Sequence, residues 1–204
     1  TYHYLRLLYR GVLLNLKTRI PLSFKTPRFL VRRYKASDAE MLCRAAQASI
    51  AQVFEFLPWC HPDYSIEDSF AWLNMVEENW KSGAAYNFGI FSPDETEFHG
   101  GCGLARLDEH PMQNLGYWIK TASTGQKIAT EVTIELARFG VESLGLQRIE
   151  IVMSVDNPGS RHVAIGAKAQ FEGTLRNRLM LHGRCHDAYL YSLTPEDIRL
   201  NKDL

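Results

Sequence analysis

Thr124-Gly125-Gln126-Lys127-Ile128-Ala129-Thr130 is the stretch that decides how this chain folds. A polar turn with one glycine runs into apolar residues at Ile128, Val132, Leu136 and Phe139, spaced i, i+4, i+8 and i+11. That spacing predicts an amphipathic helix over 128–143, with Gly145 as its C-cap. The first turn of a helix leaves backbone N–H groups without intrahelical partners, so such a turn is a ready anion site. Outward from it, 115–120 reads as a strand on the N-terminal side. On the C-terminal side, 147–154 reads as a strand with Ile149, Ile151 and Met153 on one face. Asp156-Asn157-Pro158-Gly159-Ser160 then turns into a short helix. Residues 174–181 and 184–193 pair around His182-Gly183, a two-residue hairpin signal. This order of elements fits a protein that holds a phosphate-bearing cofactor against a split sheet.

The N-terminal half supplies the rest of an α/β (α+β) domain. Residues 29–34 read as a strand, and Ser37 as the N-cap of a helix running to Ser49. Ser65-Ile66-Glu67-Asp68 resembles a capping box and opens a second helix, with Phe70, Leu73, Val76 and Trp80 predicted on its buried face. Between them, Pro58 and Pro62 break the helical pattern. Strands follow at 85–91 and 99–107, the latter relaxed by Gly100, Gly101 and Gly103, which predict a bulge or a close backbone approach.

At 204 residues the chain is long enough for one domain with a sizeable core. Four cysteines (43, 60, 102 and 185) show no C-x-x-C spacing, which argues against a zinc site or disulfide framework and fits a reducing cytoplasm. Cys102 and Cys185 read as small buried hydrophobes. No apolar run is long enough for a transmembrane helix. The net charge of zero hides an asymmetry: residues 1–35 hold nine Lys/Arg and no acid, leaving 14 basic and 23 acidic residues in the remainder. The acidic body either attracts a basic partner or simply receives the basic arm. Residues 1–24 read as a basic, apolar extension with a helix over 2–16, and 200–204 as a tail.

Six motifs in order make residues 25–199 resemble the GNAT superfamily of N-acetyltransferases, and within it the ribosomal-protein N-terminal (alanine or serine) acetyltransferases. They are Thr26-Pro27-Arg28-Phe29-Leu30-Val31-Arg32-Arg33, Leu57-Pro58-Trp59-x-His61, Leu115-Gly116-Tyr117-Trp118-Ile119, Val155-Asp156-Asn157-x-x-Ser160, Glu172-Gly173-x-Leu175-Arg176-Asn177-Arg178, and Gly183-Arg184-x-x-Asp187. The resemblance implies a mixed, twisted sheet with a V-shaped central split, flanked by helices. It implies acetyl-CoA as co-substrate and no metal. It places the pyrophosphate on main-chain N–H groups of Thr124, Gly125, Gln126, Lys127, Ile128 and Ala129, and the pantetheine arm on Tyr117, Trp118 and Ile119. Asn157 and Ser160 fall near the thioester, with Ser160 as proton donor or hydrogen-bond partner of the thiolate. The chain departs from the superfamily turn, usually Gln/Arg-x-x-Gly-x-Gly/Ala. Thr124 stands first, Lys127 replaces the central glycine, and Lys168 replaces a glycine after the short helix.

The implied reaction is direct attack by an amine on the thioester. His61 is a candidate general base, since imidazole titrates in the right range; a merely hydrogen-bonding loop histidine is the alternative. Glu55 and Asp63 are candidates for attracting a cationic acceptor, and Trp59 for walling its site. Two positions where relatives often carry glutamate hold Asn114 and Leu179. Asp187 reads as structural, paired with Arg176 or Arg178. The acceptor is expected to be a protein N-terminal α-amine, with a ribosomal protein in view. A small amine (polyamine, antibiotic), a non-catalytic acyl-CoA-binding protein and a ribosome-docking module stand as alternatives. Nothing outside 1–35 offers the basic, aromatic-interleaved surface that DNA would need. A monomer and a homodimer are both compatible with the sequence.

Overall fold

The computed structural model describes residues 20–200; the helix predicted over 2–16 and most of the tail lie outside them. Among the described residues, eight strands form one sheet in the order β1-β2-β3-β4-β5-β6-β8-β7. They are β1 (Ser23–Lys25), β2 (Leu30–Arg33), β3 (Ala85–Phe91), β4 (Phe98–Arg106), β5 (Met112–Ile119), β6 (Arg148–Ser154), β7 (Gln170–Leu181) and β8 (Arg184–Leu193). The helices are α1 (Ala39–Gln47), α2 (Ile50–Val53), α3 (Ile66–Ser82), α4 (Ile128–Leu144), α5 (Pro158–Gly166) and α6 (Pro195–Leu200). Every strand pair is antiparallel except β5 with β6.

That parallel pair shapes the molecule. Its register holds only from Met112↔Arg148 to Asn114↔Glu150. Beyond Asn114 the strands part, while β5 stays on β4 as far as Ile119 and β6 stays on β8 as far as Ser154. The crossover between parallel strands is α4, as a helix connection requires. α4 buries Ile128, Val132, Leu136 and Phe139 against the sheet, as the spacing predicts. Gly145 closes it at φ 69°, in the left-handed region. Leu104, Leu115, Ile149, Ile151 and Leu193 are fully buried beneath it, each contributing about 1.5–3 kcal/mol.

Two glycines in β4 do what the sequence suggests. A Cβ on Gly100 would stand 2.1 Å from the Trp118 carbonyl oxygen, and one on Gly101 2.3 Å from the Tyr34 hydroxyl. The register of β3 with β4 slips beside Gly100, between Ile90 and Phe91. Ser65 and Asp68 form the predicted capping box of α3.

Other expectations change. Ser37 does not cap α1: a 3₁₀ turn over Ala36–Asp38 precedes the helix, and Asp38 stands at its N-cap. The buried Asp38 carboxylate takes Lys35 N at 2.7 Å and the Arg32 guanidinium at 2.8 and 2.9 Å. Phe70 is exposed, because α3 buries only its Leu73 and Val76 side. Cys185 is exposed on β8, whereas Cys43, Cys60 and Cys102 are buried. Among the described residues Asp187 pairs with no arginine; its Oδ1 accepts the Asn177 backbone N–H at 2.9 Å. Among the described residues the sheet begins at Ser23. α6 runs to Leu200 and buries Ile198.

Candidate active site

Where β5 and β6 part, a cleft of about 1190 Å³ opens. One wall is the start of α4 and the turn before it. Six successive N–H groups, Gly125 to Thr130, find no backbone acceptor among the described residues; the first such bond is Glu131 N to Lys127 O at 3.1 Å. Orphan donors at the start of a 17-residue helix are what an anion needs. The turn is held from outside. Glu131 accepts Thr26 Oγ1 at 2.5 Å, Arg28 N at 3.0 Å and Arg28 Nε at 2.7 Å, while Arg28 Nη2 donates to Gln126 O at 2.9 Å. The Thr26-Pro27-Arg28 motif is therefore a clamp on the turn, a role sequence reading missed because its partners lie about a hundred residues away.

Lys127 sits at φ 60°, ψ 16°, and Lys168 at φ 57°. Both stand where the resemblance implies glycine, and both are left-handed. Glycine is favoured there for its backbone freedom, and the lysines adopt the same conformation at some strain. Lys127 lines the cleft.

The floor comes from β5 and α5. Tyr117, Trp118 and Ile119 line the cleft on the part of β5 that β6 has left, so main-chain groups facing the gap have no strand partner. Asn157 caps α5, its Oδ1 accepting Ser160 N at 2.9 Å. Ser160 Oγ lies 2.8 Å from the Tyr117 hydroxyl. Burial pushes the Tyr117 phenol up to about 12, against the opposing effect of the Ser160 hydrogen bond. The expected site residues thus divide. Thr124, Gly125, Lys127, Ile128, Ala129, Tyr117, Trp118, Ile119, Asn157, Ser160 and Glu55 all line one cleft. Gln126 does not, its carbonyl being turned to Arg28.

Trp59 and His61 do not line the cleft either. Trp59 packs edge-on against Trp118 at 5.3 Å and borders a separate hollow of about 50 Å³ with Leu42, Tyr64 and Trp72. His61 Nε2 lies 3.7 Å from Asp68 Oδ2, at the start of α3. The loop folds back onto α1 and α3 because Cys60 is buried with its thiol on Ala46 O at 3.4 Å. Burial pushes that thiol up to about 11, so it is no nucleophile. A second wall of the cleft is instead made by Ala51, Gln52, Val53, Glu55, Phe56 and Leu57 and by Leu179 and Leu181 of β7. His182, unremarked in the sequence except as a turn residue, ties these together: its Nε2 lies 3.0 Å from Phe54 O and 3.2 Å from Glu55 O. Asp156 and His162 also line the cleft, and Asn114 lies at the parting point with its Oδ1 buried and unbonded. Among the described residues no group of three His, Cys, Asp or Glu is placed to hold a metal ion, and no helix is long and apolar enough to cross a membrane.

Residues 28–170 match the family model described as Acetyltransferase (GNAT) domain. The chain is similar to the uncharacterized N-acetyltransferase p20 of Bacillus licheniformis, 26% identical over 82% of this chain and 93% of that one. It is similar to the ribosomal-protein-serine acetyltransferase of Escherichia coli, 31% identical over 78% of this chain and 94% of the relative. Its fold matches the Microcin C7 self immunity acetyltransferase MccE, solved with acetyl-CoA and AMP, with TM-score 0.78, 21% identity, and 85% and 97% of the two chains covered. A split sheet, an orphan N–H cradle and an unpaired β5 edge suit a pyrophosphate and a pantetheine arm, so acetyl-CoA is the co-substrate and the chain belongs to the GNAT acetyltransferase family.

Proposed function

We propose that the protein acetylates the N-terminal α-amine of a protein, with a ribosomal protein as the leading acceptor. The observation that carries this is the second wall of the cleft. Ala51, Val53, Phe56, Leu57, Leu179 and Leu181 make this side of the cleft largely apolar, with Gln52 and Glu55 as its polar residues. Such a wall suits an extended chain end that presents an ammonium. The ribosomal-protein-serine acetyltransferase of E. coli supports the same substrate class. The free cysteines support a reducing compartment, and we place the protein in the cytoplasm.

In this reading the N–H groups from Gly125 to Ala129 hold the pyrophosphate, and the β5 main chain from Tyr117 to Ile119 aligns the pantetheine arm and polarises the acetyl carbonyl. Ser160 stands beside the sulfur. The attacking nitrogen forms the new C–N bond, the C–S bond breaks with its electron pair going to sulfur, and the amine proton ends on the thiol. His61 is set aside as base by its position; Glu55, Asp156 and His162 are the titratable groups that reach the cleft together with Lys127 and Tyr117. Unmodified ribosomal proteins, N-terminal peptides, polyamines and aminonucleosides incubated with acetyl-CoA and read by mass spectrometry test the assignment. Acetylation confined to peptide α-amines is expected. Faster turnover of a small amine would replace the acceptor assignment and leave the family intact.

A further inference from the structure

We propose that Tyr117 is a positioning residue that acts through Ser160, turning the serine hydroxyl toward the sulfur that leaves during transfer. The inference rests on the reading that Ser160 stands beside that sulfur. Tyr117 is on β5 and Ser160 on α5, so their 2.8 Å contact bridges the split that β5 and β6 create. Both ends are fixed. The Tyr117 ring packs against the main core, and the Ser160 backbone is held by the Asn157 cap and by Pro158 in the first turn of α5.

Two arrangements of the hydroxyl hydrogens satisfy the pair. In one, Ser160 Oγ–H donates to the Tyr117 oxygen and Tyr117 donates to the Ser160 carbonyl, 3.3 Å away. In the other, Tyr117 Oη–H donates to Ser160 Oγ, and the serine hydrogen points into the cleft. A sulfur gaining negative charge selects the second, because a hydrogen bond to an anion is the stronger one and the chain of donors polarises along its length. The buried phenol keeps its proton at neutral pH, so it remains a donor throughout. No proton leaves either hydroxyl. As the C–N bond forms and the C–S bond breaks, sulfur takes the bonding pair, the two hydroxyls stabilise it, and the amine supplies the proton that finishes the thiol.

The test uses free CoA, whose thiolate absorbs in the ultraviolet, and needs no acceptor. The thiol of CoA bound to the wild-type protein is titrated and compared with CoA in solution, then with CoA bound to Tyr117→Phe and Ser160→Ala. Desulfo-CoA affinity and thermal melting of each variant serve as controls. The expected result is a bound thiol about one pKa unit lower in the wild type, a tenfold change in thiolate population. Less than half of that shift should survive in Tyr117→Phe and almost none in Ser160→Ala, each read in complexes saturated with CoA. A full shift in Tyr117→Phe overturns the proposal. So does a shift that survives Ser160→Ala, which would then come from Lys127, His162 or the α4 N-terminus. Failure of both CoA and desulfo-CoA to bind the wild type would instead remove the cofactor reading beneath it.

Discussion

The two walls of the cleft are held by different means. The cradle wall works through main chain: six N–H groups at the start of α4, fixed from behind by Thr26, Arg28 and Glu131. The second wall works through side chains on a loop, 51–57, and on the β7–β8 hairpin, joined where His182 meets the Phe54 and Glu55 carbonyls. In the proposed reading the first wall meets the co-substrate through main chain, and Lys127 holds a left-handed position within it. In the same reading the second wall decides which amine enters, and the exposed His182 pins it. Recognition of the common partner is therefore rigid, and recognition of the particular partner is lightly held.

Glu131→Ala should affect the cradle wall most. It removes the acceptor of three hydrogen bonds, two from Arg28, and should cost about 1.5–3 kcal/mol in urea unfolding. Acetyl-CoA affinity by calorimetry should fall about tenfold; an unchanged affinity would mean that the turn holds itself. At the root of the hairpin, Glu172 accepts Arg148 at 2.7 and 2.5 Å and Ser192 at 2.5 Å. These bonds, Arg148 first, pull its carboxyl from 4.5 down to about 2. A lowered carboxylate stabilises the fold above its unfolded value, and the contribution fades as pH falls from about 4.5 through about 2. The side chain is a third exposed, so Glu172→Gln should cost only about 1 kcal/mol at neutral pH. Wild type and variant should converge in stability near pH 2; a gap that persists there would locate the effect in packing.

A smaller effect is expected from His182→Ala, which frees the loop and leaves the cradle alone. Losing one net hydrogen bond, about 1 kcal/mol, should raise the KM for the acceptor about fivefold. Amide exchange in 51–57 should quicken while acetyl-CoA affinity holds. If both substrates weaken alike, the two walls are not independent. The smallest change belongs to Lys127→Gly. Relief of a left-handed side chain, about 1–2 kcal/mol, is offset by the glycine's entropy of about 0.5–1 kcal/mol. Melting should rise by an amount equivalent to about 0.5 kcal/mol. The lost cation near the phosphates should keep the affinity change within about threefold.

Local signals in the sequence carry most of the fold. The apolar spacing of α4, Gly145 after it, the Ser65–Asp68 capping box and the His182-Gly183 turn each report on residues a few positions apart, and each is found where expected. β1 escapes notice because three residues at a sheet margin have no period to display. Phe70 misleads because it fits a helical spacing whose face α3 leaves open. The cleft is less legible. The cradle follows from a helix start, and the family motifs bring Tyr117 and Ser160 to attention separately. Their meeting spans 43 residues and depends on how far β5 and β6 part. His61 looks like a base in the sequence because chemistry suggests it, while the burial of Cys60 beside it turns the loop the other way. The Arg28 clamp and the His182 tie are likewise contacts between distant segments, which spacing cannot encode.

Among the described residues the sheet ends on β7, twelve residues long and paired on one side only. A straight strand of that length at a margin is an open template for any passing extended chain. β7 is not straight. Between Leu175 and Leu179 it carries surplus residues opposite Asp187, which holds Asn177 by its backbone at φ 52°. The kink breaks the outer row of donors and acceptors into two short runs and sets Arg176 and Arg178 beside the break. A crowded cell is full of unfinished chains seeking a strand to join, and this margin offers them no long, flat stretch on which to start.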